Sequence, residues 1–141
     1  MIIPIVLSVR GRQAYMDQEP DVIELVTEGT LEYTDGGWDI RYEESELTGL
    51  AGVTTAFRVE KDKIILTRTG KLNSQMIFQE GVAHTSLYQM EFGALMITVC
   101  AKRILAMLSD EGGMIDLVYG IEIEQSTAGT VDYHLEIRAK E

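Results

Sequence analysis

Hydrophobic and polar residues alternate along most of this chain. Residues 2–9 set Ile3, Ile5, Leu7 and Val9 on one face. Residues 22–33 set Ile23, Leu25, Leu31 and Tyr33 against Glu24, Glu28 and Glu32. Trp38, Ile40 and Tyr42 alternate with Asp39, Arg41 and Glu43, and Val53, Phe57 and Val59 share a face. Residues 115–123 and 131–139 repeat the pattern through Ile115, Leu117, Tyr119, Ile121 and Ile123, then Val131, Tyr133, Leu135 and Ile137. A period of two belongs to a half-buried strand, whereas a helix repeats at three and four.

Turn chemistry separates these runs. Asp35-Gly36-Gly37, Lys61-Asp62, Asp110-Glu111-Gly112-Gly113 and Ser126-Thr127-Ala128-Gly129 each read as a hairpin connection. Both prolines fall in the first 20 residues, so the later ladders lose no donor to proline. The expectation is a single all-β domain over 1–141, an antiparallel meander barrel of about 8–10 strands. Residues 98–109 fit the pattern least. Val99, Ala101, Ile104, Leu105 and Leu108 fall at helical spacing, which predicts strand to about Arg103, then a turn with a helical fragment. Residues 94–101 are apolar on both faces, which calls for a covering segment or a subunit interface. Gly29 and Gly120, inside strand runs, are the expected places for a register shift.

The chain has 141 residues and a formal net charge of −11. That is one ordinary domain. The acidic balance disfavours nucleic acid and anionic membrane surfaces as partners. The N-terminal Met-Ile-Ile-Pro-Ile-Val-Leu has no basic start and is broken by Pro4, so no secretory signal is expected. No apolar run approaches the roughly 20 residues of a membrane helix. A cytoplasmic location is the expectation. One cysteine, Cys100, excludes a disulfide framework. His84, His134 and Cys100 are too scattered to suggest a metal site, and no phosphate-binding glycine motif or nucleophile elbow is present. No cofactor and no catalytic residue are expected.

What remains is polar residues on apolar faces. Glu44 shares its parity with Trp38, Ile40 and Tyr42, and Arg68 shares its own with Ile64 and Leu66. If those faces line the barrel, a glutamate and an arginine point inward and each needs a partner. The simple alternative leaves both at strand ends, in water at the rim. His84, Ser86 and Tyr88 share a third face. Tyr42, Glu44, Arg68, His84 and Tyr88 are therefore the candidate ligand-binding residues, with Arg68 offering a planar fork to a carboxylate or phosphate. Five methionines, Met76, Met90, Met96, Met107 and Met114, are expected to pack a pliable interior.

Several short stretches recur together in a fixed order. They are Tyr42-Glu43-Glu44 with Leu47 and Gly49, Thr67-Arg68-Thr69-Gly70, Phe78 with Gly81, Tyr88 to Phe92-Gly93, and Gly112-Gly113 leading to Tyr119. In order and spacing the chain, from about Ile5 to Ile137, resembles the bacterial YwiB-like family, the domain of unknown function numbered 1934. The resemblance implies a calycin-like barrel, related in shape to lipocalins, and implies no activity. The residues themselves leave three readings. One is a non-catalytic barrel that binds a small molecule in or at its mouth. Another is an interaction module that dimerises through 94–101. The third is an enzyme using an acid/base pair such as Glu44 and His84.

Overall fold

The computed structural model describes residues 2–15, 21–45, 51–90, 93–124 and 126–140. Among them are ten strands and no helix. In chain order they are β1 (Ile2–Tyr15), β2 (Asp21–Thr34), β3 (Gly37–Glu43), β4 (Val53–Val59) and β5 (Ile64–Gly70). Then come β6 (Ser74–Phe78), β7 (Ala83–Met90), β8 (Gly93–Ser109), β9 (Gly112–Ile123) and β10 (Ser126–Ala139). They form one antiparallel sheet in the order β6-β5-β4-β3-β2-β1-β10-β9-β8-β7. Each strand pairs with its sequence neighbour except β6 with β7, and β1 also pairs with β10 along eleven residue pairs. The outer strands β6 and β7 meet through two isolated bridges, Asn73 with Gln89 and Gln79 with Val82. The sheet is thus a nearly closed, up-and-down barrel.

The alternation in the sequence becomes inside and outside. Ile5, Leu7, Leu31, Ile40, Phe57 and Leu135 are fully buried in the interior, and their sequence neighbours face outward. The Asp35-Gly36 turn is the expected hairpin, with both residues at positive φ (52° and 79°). Lys61 and Asp62 sit in a second hairpin, closed by Glu60 N–H donating to the Lys63 carbonyl at 2.9 Å.

Four local expectations are corrected. Residues 104–109 are strand, not helix. A bulge between Ala101 and Arg103 shifts the register, so the inward residues change from Ile97, Val99 and Ala101 to Ile104, Ala106 and Leu108. That slip puts apolar residues three and four apart and imitates a helix. The second bulge lies between Thr127 and Gly129, so Ser126–Gly129 begin β10 rather than form the turn. Gly29 and Gly120 keep regular register. Gly29 has another role. A Cβ there would run into the Arg41 carbonyl and crowd Leu7 and the Tyr42 Cβ, so only glycine lets β2 and β3 approach this closely. Finally, of the methionines, Met76 is core, Met96 and Met107 face outward and Met114 is half-buried, while the Met90 side chain lies outside the described residues.

The 94–101 stretch buries Ile97, Val99 and Ala101 inward. Its outer face carries Thr98, Cys100 and Met96, of which only Met96 is large, and no helix of the described residues covers it.

Candidate functional site

One end of the barrel is where β1 hands over to β2, β3 to β4, β5 to β6 and β7 to β8. On the inner face at this end, the strand register lines up a polar row. Gly29 pairs with Tyr42, Tyr42 with Thr55, Thr55 with Arg68, and Arg68 with Ser74. The row crosses five adjacent strands at one level, because parity and register agree on all of them. Below it the interior is filled by side chains such as Phe57 and Phe78.

Above the row the described residues line a cavity of about 250 Å³. Tyr42, Glu44, Arg68, Tyr88, Tyr133 and Gln13 form its polar wall, and Val9, Gly11, Ile23 and Leu25 its apolar wall. The Tyr133 ring stands edge-on to Phe57, with centroids 6.2 Å apart, which ties the cavity wall to the core beneath.

Glu44 continues β3 by one residue, its N–H donating to the Val53 carbonyl at 2.9 Å. Its side chain is buried and accepts hydrogen bonds from the Thr55 hydroxyl and the Tyr42 phenol. The preceding pair mirrors it on the outside, where the Thr54 hydroxyl donates to Glu43 at 2.9 Å. Neighbouring glutamates thus serve opposite faces of the same wall, as strand alternation requires.

Burial first of all raises the Tyr42 phenol well above its ordinary value, and the neighbouring Tyr133 and Glu44 add to it. Tyr42 therefore stays a protonated donor. Burial works against the charge on Arg68, but Tyr133, Tyr42, Glu44 and Tyr88 around it more than offset this and hold the guanidinium protonated. The Arg68 Nε is fully shielded from solvent and has no hydrogen-bond partner among the described residues, and the same holds for the Ser74 hydroxyl across the strand pair. Glu44 and Arg68, each in need of a partner, meet only indirectly. Glu44 is held by Thr55 and Tyr42 and acts on Arg68 through its charge.

The structure brings together Tyr42, Glu44, Arg68 and Tyr88. It places His84 four residues from Tyr88 on the same face of β7, half-buried, with its Nε2 3.2 Å from the Gln79 side-chain oxygen and outside the cavity lining. Sequence reasoning missed Tyr133, Gln13 and Thr55. Tyr133 and Thr55 sit at inward parity in strands read as such, whereas Gln13 lies beyond the 2–9 run, in the part of β1 that the alternation did not mark; only the level at which each strand enters the barrel brings these residues to this end. A larger cleft of about 650 Å³ opens at the opposite end between Tyr33, Trp38 and Ile104. Of its charged residues Lys61, Asp62 and Glu80 are exposed and Glu60 and Lys63 half-buried, whereas the smaller cavity gathers buried polar groups such as Glu44 and Tyr42, which single it out. Among the described residues no three His, Cys, Asp or Glu side chains cluster as a metal site.

Fold and site together define a ten-stranded antiparallel barrel with a polar mouth. The chain belongs to the family described as Domain of unknown function (DUF1934), whose model matches residues 7–137. It is 26% identical over 107 residues to the uncharacterized beta-barrel protein YwiB of Bacillus subtilis (strain 168), covering 76% of this chain and 74% of that one. The crystal structure of that organism's ywiB protein superposes with a TM-score of 0.87 at 22% identity, covering 99% of this chain and 94% of the other. Of the residues that carried the resemblance, Leu47, Gly49 and Phe92 lie outside the described residues.

Proposed function

We propose that this protein is a non-catalytic, cytoplasmic barrel that holds a small molecule in its mouth, in the manner of a calycin. One observation carries the reading. A charged arginine has been taken into a cavity, and its Nε has no hydrogen-bond partner among the described residues. Burying such a group without a partner is costly, and natural structures seldom leave it so. Tyr42, Glu44 and Tyr88 stand around the same space. His84 was a candidate by parity and adds no support from its position.

Native mass spectrometry of the freshly purified protein, repeated after denaturation, tests this. Extra mass that leaves on denaturation is expected, and Arg68→Ala is expected to lose it. A bare chain mass in the native spectrum counts against the reading.

A second reading, a homodimer through the outer face of β7 and β8, has one observation in its favour. Leu87 and Met96 pair across these strands and are 52% and 37% exposed. The same spectrum reads it, since a dimer at micromolar concentration that Leu87→Lys dissolves is the expected result.

A further inference from the structure

We infer that the mouth cavity takes a small monocarboxylate with a short apolar or aromatic body, an inference that rests on the cavity being a binding site. The Arg68 guanidinium, which lines the cavity, sets the head group. Its planar array of N–H groups is a two-pronged donor. Two coplanar carboxylate oxygens match that fork. The Ser74 hydroxyl, also buried and without a hydrogen-bond partner among the described residues, is the cross-strand neighbour of Arg68.

Charge limits the head to one negative unit. Glu44 lines the same cavity, so Arg68 and Glu44 already cancel there. A phosphate monoester brings a charge of about −1.5 to −2 at neutral pH and meets Glu44 with more repulsion than a carboxylate does. The net charge of −11 on the whole chain acts in the same direction. Size and lining set the body. At about 250 Å³ the cavity is below the usual range of ligand pockets, roughly 300–1,000 Å³. Val9, Ile23 and Leu25 supply apolar lining, which suits an unbranched chain or a single ring.

Calorimetry and ligand-observed NMR at pH 7 and low salt, with benzoate, benzyl alcohol and phenyl phosphate as probes, make the test. Benzoate is expected to bind saturably and at least tenfold more tightly than either other probe. Arg68→Met is expected to weaken it at least tenfold. Gly11→Leu fills the mouth and is expected to abolish it, since a Cβ at Gly11 meets only ordinary contact with the Tyr133 ring at 3.8 Å. This second variant keeps the test open if Arg68→Met does not fold. Tyr33→Ala, in the cleft at the opposite end, is expected to leave binding unchanged. Tighter binding of phenyl phosphate, equal binding of benzyl alcohol, or an unaffected Arg68→Met overturns the monocarboxylate. So does failure of all three probes. In each of these cases a ligand mass retained in the native spectrum leaves the binding reading standing. Failure of all probes with no retained mass overturns both.

Discussion

Thr55 shows how a single hydroxyl conditions the mouth. It is fully buried and donates to the Glu44 carboxylate, which is itself almost wholly removed from water. Thr55→Val keeps the shape and removes the donor, so a buried carboxylate loses a bond it cannot replace. A loss of about 1–3 kcal/mol in urea unfolding is expected. Tyr42 supplies a pH signature. Its folded pKa is raised above the unfolded value of about 10. The stability linked to it is therefore fully present below pH ~10 and lost as pH rises beyond, because only the unfolded chain ionises there. Tyr42→Phe is expected to flatten that alkaline decline, read as midpoint against pH. Gly29 gives a steric counterpart. Gly29→Ala forces β2 off the Arg41 carbonyl, and a cost of about 1–3 kcal/mol is expected, seen as a lowered thermal midpoint.

At the scale of the element, β8 is the instructive strand. Its sequence from Val99 to Leu108 satisfies a helical template, and the structure makes it a bulged strand. The extra residue near Lys102 reverses which parity faces in, and the β9 ladder then continues through Ser109 with Gly112. The bulge makes a sharp expectation about two adjacent residues. Ile104 packs on the core whereas Leu105 is 47% exposed. Ile104→Asp is expected to cost about 2 kcal/mol or more, and Leu105→Asp to stay within roughly 0.5 kcal/mol. A helix over 98–109 would bury both and predict similar losses. Denaturant titration of the two variants separates the cases. Strands such as β3, β4 and β9 were legible because nothing interrupts their alternation. Phe57, for example, falls between Val53 and Val59 on one face, and all three are buried.

For the whole molecule, closure is uneven. The β1–β10 seam is a ladder of eleven pairs, while β6 and β7 meet at two isolated bridges. Fewer backbone hydrogen bonds hold the second seam, so it is the lower-stability opening. Hydrogen exchange is expected to be faster for peptides from β7 than for those from β1 or β10, and uniform protection around the barrel would contradict this.

The sequence by itself determined the class of fold. Period two, turn residues at the right intervals and the absence of later prolines dictate antiparallel strands, since each is a local property of the chain. It also named four cavity residues, because inward parity is local as well: a polar side chain on an apolar face, such as Arg68 beside Leu66, is visible without coordinates. The tertiary structure alone decided the rest. Whether inward-facing residues on different strands meet depends on the stagger of the sheet, and stagger is summed over every ladder around the barrel. It brought Tyr133 and Gln13, from β10 and β1, to the level of Arg68, and left His84 below the mouth beside Gln79. The two bulges were hidden for a related reason. A one-residue slip is fixed by what the neighbouring strands can pair with, and that constraint lies across the sheet rather than along the chain.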